Sequence, residues 1–315
     1  MAVKPKAVVS GGAGFLGYHM SKRLLDEGYD VYVVDNYETG TRRNTRDLAE
    51  AGAEIIVHDV CEPLHIAGDI DYVLNLACPA SPIDFDRLPL EIMRTCALGT
   101  NMLLELCRAH QATFLQASTS EVYGDPEVHP QREDYCGNVN IAGPRAVYDE
   151  GKRYAETLCH TYHRHYRADV RIARIFNTYG PRMRPDDGRV VSNFCMQALS
   201  AEPLTLYGGG EQTRSFCYCE DLIEGLYRLM LSDYSGPCNL GNPSEISVRE
   251  LAELVLEFSN SSSELKVVPA LHDDDPKRRR PDITVARKQL GWEPKIHLRD
   301  GLRHTMEWFR SLTNQ

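Results

Sequence analysis

The stretch Ala7-Val8-Val9-Ser10-Gly11-Gly12-Ala13-Gly14-Phe15-Leu16-Gly17 decides the fold. Its apolar start predicts a strand, glycines three apart follow at once, and a helical segment begins behind them. Gly11 permits the tight turn, Gly14 lets backbone approach a pyrophosphate at a helix N-terminus, and Gly17 lets the helix pack closely on a sheet. The next apolar run, Val31 to Val34, ends at Asp35. A carboxylate there accepts hydrogen bonds from a ribose diol and repels a 2′-phosphate, which predicts NAD rather than NADP. Arg42 and Arg43 keep the NADP option open, the ordinary reading of that pair being a solvated loop.

Working outward, strands are predicted at Ile55 to Val57, Tyr72 to Leu76, Thr113 to Gln116 and Val170 to Phe176. Helices are predicted at His19 to Glu27 and, long and amphipathic, at Leu90 to Arg108. Such alternation predicts an α/β fold, a Rossmann-type doubly wound parallel sheet. Beyond Phe176 the loops lengthen, as in Tyr179 to Arg189 and Tyr207 to Arg214, and shorter helices follow at Asp221 to Leu231, Val248 to Ser259 and Ile283 to Leu290. The expected division is an NAD-binding domain over 1–177 and a smaller, mainly substrate-binding domain over 178–315, some segments of which return to the first.

The chain has 315 residues, 42% hydrophobic and 25% charged, which fits a globular protein and excludes disorder, coiled coil or collagen as global descriptions. Lys and Arg number 35 against 45 Asp and Glu, a net charge of −10. That balance argues against nucleic acid and anionic membrane as partners, so any anionic ligand needs local cationic groups. MAVKPKAVVSGG lacks the apolar core of a signal peptide, and no apolar run approaches the ~18 residues of a membrane span. Ten cysteines without a CxxC pair predict reduced thiols in a cytoplasm and no metal site, with Cys217 and Cys219 as strand neighbours. His160, His163 and His165 read as exposed helix polars, and Met93, Met102 and Leu106 as core or dimer interface.

Tyr148 and Lys152 stand one helical turn apart. A neighbouring ammonium and a cationic nicotinamide both favour the phenolate, which makes Tyr148 a candidate base at neutral pH. Ser118, Thr119 and Ser120 follow an apolar strand, where their hydroxyls could meet a substrate oxygen beside the phenol. With the glycine turn, this pattern predicts hydride chemistry on a secondary alcohol.

The glycine turn, the hydroxyl segment and YxxxK together resemble the extended short-chain dehydrogenase/reductase superfamily. Longer stretches narrow the likeness: Asn75 to Pro82 (NLACPASP), Ser118 to Pro126 (STSEVYGDP), Gly143-Pro144-Arg145 leading into Tyr148 to Arg153, Ala173 to Arg182, Asp187 to Phe194, Gln212 to Phe216, and Asp274-Asp275-Pro276 through Arg279 to Pro281-Asp282. As a set running over almost the whole chain, from the glycine turn to Gly291-Trp292-Glu293-Pro294, they are similar to the UDP-glucuronic acid decarboxylases, or UDP-xylose synthases. The resemblance implies a homodimer that converts a UDP-sugar substrate, UDP-glucuronate, to UDP-xylose and CO₂ with NAD recycled in each turnover. It also implies roles: Tyr148 as base at the C4 hydroxyl, Lys152 lowering its pKa and binding the nicotinamide ribose, Thr119 as donor at O4, and Ser120 with Glu121 near C5 and the carboxylate. Arg279, in the basic run Lys277 to Arg280, matches an arginine of the decarboxylation step, its neighbours being expected to balance Asp273 to Asp275. Asn177, Arg189 and Arg214 resemble UDP contacts, and Asp59 and Val60 match the segment that holds adenine. The same likeness puts Phe15, Leu16, Asn36, Leu76 and Ala77 with the cofactor, and Pro82, Arg145, Val190 and Tyr207 with the substrate.

One position departs from the superfamily pattern. Cys96 stands where an Asn is usual before the Gly99-Thr100 step, and it cannot donate two N–H bonds, so an altered contact ordering Lys152 and slower turnover are expected. Three rival readings remain at this level. A UDP-glucuronate 4-epimerase shares the first oxidation and keeps the carboxylate. A 4,6-dehydratase needs an acid where Ser120 stands. A non-catalytic NAD-binding protein has no reason to hold both Tyr148 and Lys152.

Overall fold

The computed structural model describes residues 4–269 and 278–313. Seven parallel strands form one sheet in the spatial order Pro237–Leu240, Asp169–Ile175, Thr113–Thr119, Tyr72–Asn75, Lys6–Ser10, Asp30–Asp35, Glu54–Val57. The order reverses between Lys6–Ser10 and Tyr72–Asn75, and ligands of such sheets bind in the crevice beyond the strand ends at that reversal. All the strands read from the sequence are present, Thr113–Thr119 running three residues longer than expected. The helix expected from His19 begins earlier, at Phe15, directly behind Gly14.

Helices cover both faces. Phe15–Asp26 and Cys219–Leu231 bury Met20, Leu24, Leu222, Leu226 and Leu229 beneath one face, in a core shared with Val9, Val31 and Val33 of the strands. Thr100–His110 and Ala146–Tyr166 bury Leu103, Leu104, Cys107, Cys159 and Tyr162 against Val8, Val73 and Phe114 on the other. The seventh strand comes from beyond Asn177: Pro237–Leu240 pairs with Asp169–Ile175, Leu240 opposite Ile175. A second core gathers Phe194, Leu206, Tyr218, Leu251, Val255 and Phe309 around the helices Val190–Leu199, Val248–Ser259 and Leu298–Thr313. Among the described residues, no helix is long and apolar enough to cross a membrane.

Two local expectations are corrected. The helix expected over Leu90 to Arg108 is three pieces, Pro89–Arg94, a π-turn at Thr95–Gly99 and Thr100–His110. The extra residue in a π-turn shifts which side chains face inward, and here it carries Cys96, which is buried. Cys217 lies in the strand Cys217–Tyr218, but Cys219 opens the helix Cys219–Leu231, because Glu220 and Asp221 favour a helix's first turn. The sequence reading also missed the short strands Leu204–Tyr207, Thr213–Ser215, Glu245–Ser247 and Leu265–Val268.

Candidate active site

The glycine turn is held by its own backbone and closes on the neighbouring strand end. Gly11 N–H donates to the Val34 carbonyl at 2.8 Å, and Gly14 N–H to the Gly11 carbonyl at 3.0 Å. Gly11 has φ +70°, and a Cβ there would lie 2.7 Å from the Ala77 backbone. A Cβ on Gly17 would collide with the Gly11 carbonyl oxygen. Gly14 caps Phe15–Asp26 without any side-chain cap, and the helix has no acidic residue in its first turn. The open N–H groups therefore suit a pyrophosphate, and the chain's residues fit the dinucleotide expected of the turn.

Gly11, Gly14, Asp35, Asn36, Asp59, Val60, Leu76 and Ala77 line one cleft above this turn, as read from the sequence. Glu38, Thr39, His58, Glu91 and Arg94, loop and helix residues that carry no motif, also line it, as does Cys78 of the NLACPASP stretch. Phe15 and Leu16 point into the two cores instead, so only their backbone is available to a cofactor. Asp35 accepts Ala13 N–H at 3.0 Å and Tyr37 N–H at 2.8 Å. Burial raises its pKa, with those two bonds opposing. Arg42 and Arg43 lie over the rings of Tyr37 and Trp308, at 4.5 and 4.7 Å, which gives both guanidiniums a packing role. Beneath the cleft, Ser10, Asn75, Gln116 and Thr100 form a buried ladder: Asn75 accepts from Ser10 and donates to Gln116, both at 3.0 Å, and to Thr100 at 3.2 Å.

Tyr148 and Lys152 share the inner face of Ala146–Tyr166, and both are buried. The phenol stacks on Phe85 at 5.1 Å, and Lys152 Nζ donates to the Ala117 carbonyl at 3.0 Å. Burial pushes the Tyr148 phenol up to about 12; Lys152, Thr119 and Arg189 pull it down, while Cys78 adds to the rise. The Lys152 ammonium by itself offsets only part of the burial penalty, which leaves the rest of the phenolate's stabilisation to the cationic nicotinamide expected beside it. Lys152 itself is pulled down by burial and raised by Cys78, Tyr148, Cys96 and Glu156, with the rise prevailing.

Of the three hydroxyls, Ser118 is committed elsewhere. Its Oγ donates to Glu156 at 2.5 Å, and Glu156 also takes two bonds from Arg174, at 3.0 and 2.8 Å. This buried group ties the Tyr–Lys helix to the sheet, and nothing in the local sequence announces it. Thr119 and Ser120 end the strand and open the turn Ser120–Tyr123, with Glu121 N–H donating to Thr119 Oγ1 at 3.2 Å.

Glu121 bridges two guanidiniums, Arg145 and Arg279. Burial opposes its ionisation, but Arg279 and Arg145 outweigh that and hold the carboxyl down at about 2. Arg279 reaches this place from the short strand Arg278–Arg279, paired beside Thr213–Ser215 with Arg279 opposite Arg214. Its Nη1 donates to Ser120 at 3.3 Å and its Nη2 to the Gly124 carbonyl at 3.1 Å. Its Nε has no hydrogen-bond partner among the described residues. Of its basic run, Arg280 pairs with Glu245 at 3.8 Å, while Lys277 and Asp273 to Asp275 lie outside the described residues.

Arg189 donates to the Ala80 carbonyl at 3.3 Å, beside Pro82 at the start of Pro82–Arg87, and opens the helix that begins at Val190. Asn177, half-buried, joins Asp169–Ile175 to the strand Thr178–Tyr179. Tyr207 ends Leu204–Tyr207, and its carbonyl accepts Gln212 at 3.1 Å. Tyr148, Lys152, Thr119, Ser120, Glu121, Arg145, Arg189 and Arg279 are thus linked by contacts or by charge, whereas the Asn177 carbonyl accepts Cys217 N–H at 2.9 Å and Tyr207 lies at the end of its short strand.

A buried phenol beside an ammonium, a dinucleotide-shaped turn and a carboxylate clamped by two arginines together suit reversible oxidation of an alcohol that carries an acid. Residues 7–241 match the model of the NAD dependent epimerase/dehydratase family. The chain is 49% identical over 314 residues to "UDP-glucuronic acid decarboxylase 1" of Danio rerio, covering 99% of this chain and 74% of that one. It is 52% identical over 307 residues to "UDP-glucuronic acid decarboxylase 5" of Arabidopsis thaliana, covering 97% and 89%. Among solved structures, the UDP-glucuronic acid 4-epimerase from Bacillus cereus, in complex with UDP-glucuronic acid and NAD, is similar at TM-score 0.87 and 28% identity, covering 98% of this chain and 99% of that chain.

Proposed function

Because the chain belongs to the NAD dependent epimerase/dehydratase family, we propose that it decarboxylates UDP-glucuronate to UDP-xylose. What favours this over the 4-epimerase is its likeness to the decarboxylases, 52% identity over nearly the whole chain against 28% to the epimerase structure. The chemistry is self-consistent. Oxidation of C4 creates a ketone β to the C6 carboxylate, and such an acid loses CO₂ because the electron pair left on C5 delocalises into the carbonyl. Protonation at C5 and reduction of C4 give the pentose.

Bound NAD supplies the oxidant for C4, a cationic ring whose charge favours the phenolate, and afterwards the reductant that restores the alcohol. Gly11 and Gly14 give the pyrophosphate its backbone donors, Asp35 receives the adenosine ribose, and Asp59 and Val60 flank adenine. Tyr148 removes the C4 hydroxyl proton and later returns it, Lys152 holds the developing phenolate, and Thr119 donates to O4. Arg279, with Ser120 and Glu121, faces C5 and the departing carboxylate. Glu121 stays ionised and cannot donate, so its task is to aim the two guanidiniums. Asn177, Arg189, Val190, Tyr207 and Arg214 take the UDP, with Pro82 and Arg145 at the sugar. Residues 1–177 carry the cofactor and 178–315 mainly the nucleotide sugar, apart from the strand that returns.

Incubation with UDP-glucuronate and catalytic NAD is expected to give a product lighter by about 44 mass units, one CO₂, with no net NADH. A C4-inverted uronate without CO₂ release would replace this reading with the epimerase one.

The finer assignments follow the same family logic. The protein is a homodimer in the cytoplasm. Leu90 and Met93 on Pro89–Arg94 and Leu98 on the π-turn are 67%, 49% and 47% exposed, with Tyr154 at 51% on the helix packed beside them, and such apolar exposure suits a self-complementary contact. Leu98→Glu is expected to give a folded monomer by sedimentation velocity; an unchanged dimer would move the interface elsewhere. Ten free cysteines suit a reducing compartment.

A further inference from the structure

Two cysteines approach each other where the proposed reaction uses neither. Cys78 Sγ and Cys96 Sγ are 3.6 Å apart, one in the loop that follows the strand Tyr72–Asn75 and walls the cofactor cleft, the other on the π-turn. Cys78 is half-buried and lines that cleft, so a small solute reaches it from the cofactor side. Cys96 is buried, and glycine at 151 leaves it room: a Cβ there would lie 3.2 Å from both Cys96 Cβ and Sγ. The next residue is Lys152.

We propose that Cys78 and Cys96 are a redox modification site, closing to a disulfide under a peroxide oxidant and thereby switching off the adjoining active site.

The surroundings favour this pair over the other thiols. The Cys78 hydrogen bond lowers the Cys96 pKa to about 7 against burial, and Lys152 assists. Burial pushes Cys107, Cys159, Cys195, Cys217, Cys219 and Cys238 up instead, which keeps them as inert thiols. In the first step the Cys78 sulfur, the one the cleft exposes, attacks one peroxide oxygen as its proton passes to the Cys96 thiolate 3.6 Å away; the O–O bond breaks, and the leaving hydroxide takes a proton to become water. Cys96 sulfur then attacks the Cys78 sulfenic sulfur as the S–O bond breaks, and the Cys96 proton leaves with the second water. The two sulfurs lose two electrons and the peroxide gains them. A dithiol reverses the change.

Bonded sulfurs sit about 2.05 Å apart, so closure draws the segment of Leu76 and Ala77 toward the π-turn. That segment walls the cofactor cleft, and Cys96 packs under the helix that carries Tyr148 and Lys152. Oxidation therefore acts on NAD binding and turnover together.

The test exposes the reduced, full-length holoenzyme to about one equivalent of hydrogen peroxide, traps free thiols by alkylation, and maps peptides without reduction. A Cys78–Cys96 cross-linked peptide is expected, with turnover of UDP-glucuronate lowered about tenfold or more and restored by dithiothreitol. Cys96→Ala is expected to lose both the cross-link and the reversible component of inhibition. Oxidation confined to other cysteines, or equal reversible inhibition of Cys96→Ala, would overturn the proposal. If that variant does not fold, the peptide map of the unaltered chain decides alone. The activity arm rests on the decarboxylase reading and the cross-link does not: NAD affinity, measured by fluorescence titration before and after oxidation, separates failure of the switch from failure of the assigned substrate.

Discussion

Tyr148→Phe is expected to lower turnover of UDP-glucuronate by about 10²–10⁴-fold while NAD still binds. The substitution removes one hydroxyl and little else. The ring stacks on Phe85 at 5.1 Å and packs with Ile92 and Cys96, contacts that phenylalanine keeps. Lys152 retains its bond to the Ala117 carbonyl, so the ammonium stays in place. What disappears is the acceptor for the C4 hydroxyl proton, and with it the oxidation that makes the carboxylate labile. Steady-state CO₂ release with a parallel NAD titration checks this. Unchanged turnover would refute Tyr148 as the base, and loss of NAD binding would mean a structural role instead.

Glu121→Gln is expected to cost about 3–5 kcal/mol of stability at neutral pH, because it strands two guanidiniums that the carboxylate now pairs. The side chains of Glu121, Arg145 and Arg279 are 13%, 15% and 4% exposed, so water offers little compensation. The sign of the pH dependence follows from the depressed pKa. Folded Glu121 sits at about 2 against an ordinary 4.5, so its stabilisation is complete above 4.5 and is lost as pH falls toward 2. Urea midpoints of the two chains should differ at pH 7 and converge below about pH 4.5. A constant difference across that range would show that the carboxylate's charge is not what stabilises the cluster. The same variant should also turn over slowly, since Arg279 loses the partner that aims it.

The cofactor half of this molecule is written in local sequence. Gly11, Gly17 and Asp35 each answer a backbone or charge demand within one βαβ unit, so spacing alone reveals them. The second half is less legible because its strands are only two to four residues long and draw their partners from far away: Arg279 meets Thr213–Ser215, then Glu121 across the site. The family likeness, rather than any pattern in the basic run, singled it out. The pairing of Glu156 with Arg174 is illegible in the sequence, as a buried ion pair between a helix and a strand has no signature in spacing. The π-turn was equally silent, since Leu90 to Arg108 keeps an apolar rhythm through it. Tyr148 shows the remaining gap: its neighbours were foreseeable, but the burial that outweighs Lys152 belongs to the tertiary structure.

The strand Pro237–Leu240 has a consequence for biosynthesis. Until the ribosome has delivered it, Asp169–Ile175 is a bare edge with Val170, Ile172 and Ala173 awaiting burial, and Cys219–Leu231 is not yet under the sheet to cover them. A nascent chain cut off near Asn177 therefore has every motif for NAD but an unfinished platform beneath them. Completion of the cofactor platform must wait for residues that lie beyond much of the nucleotide-binding segment, and such an exposed strand edge is where a stalled or truncated chain would self-associate.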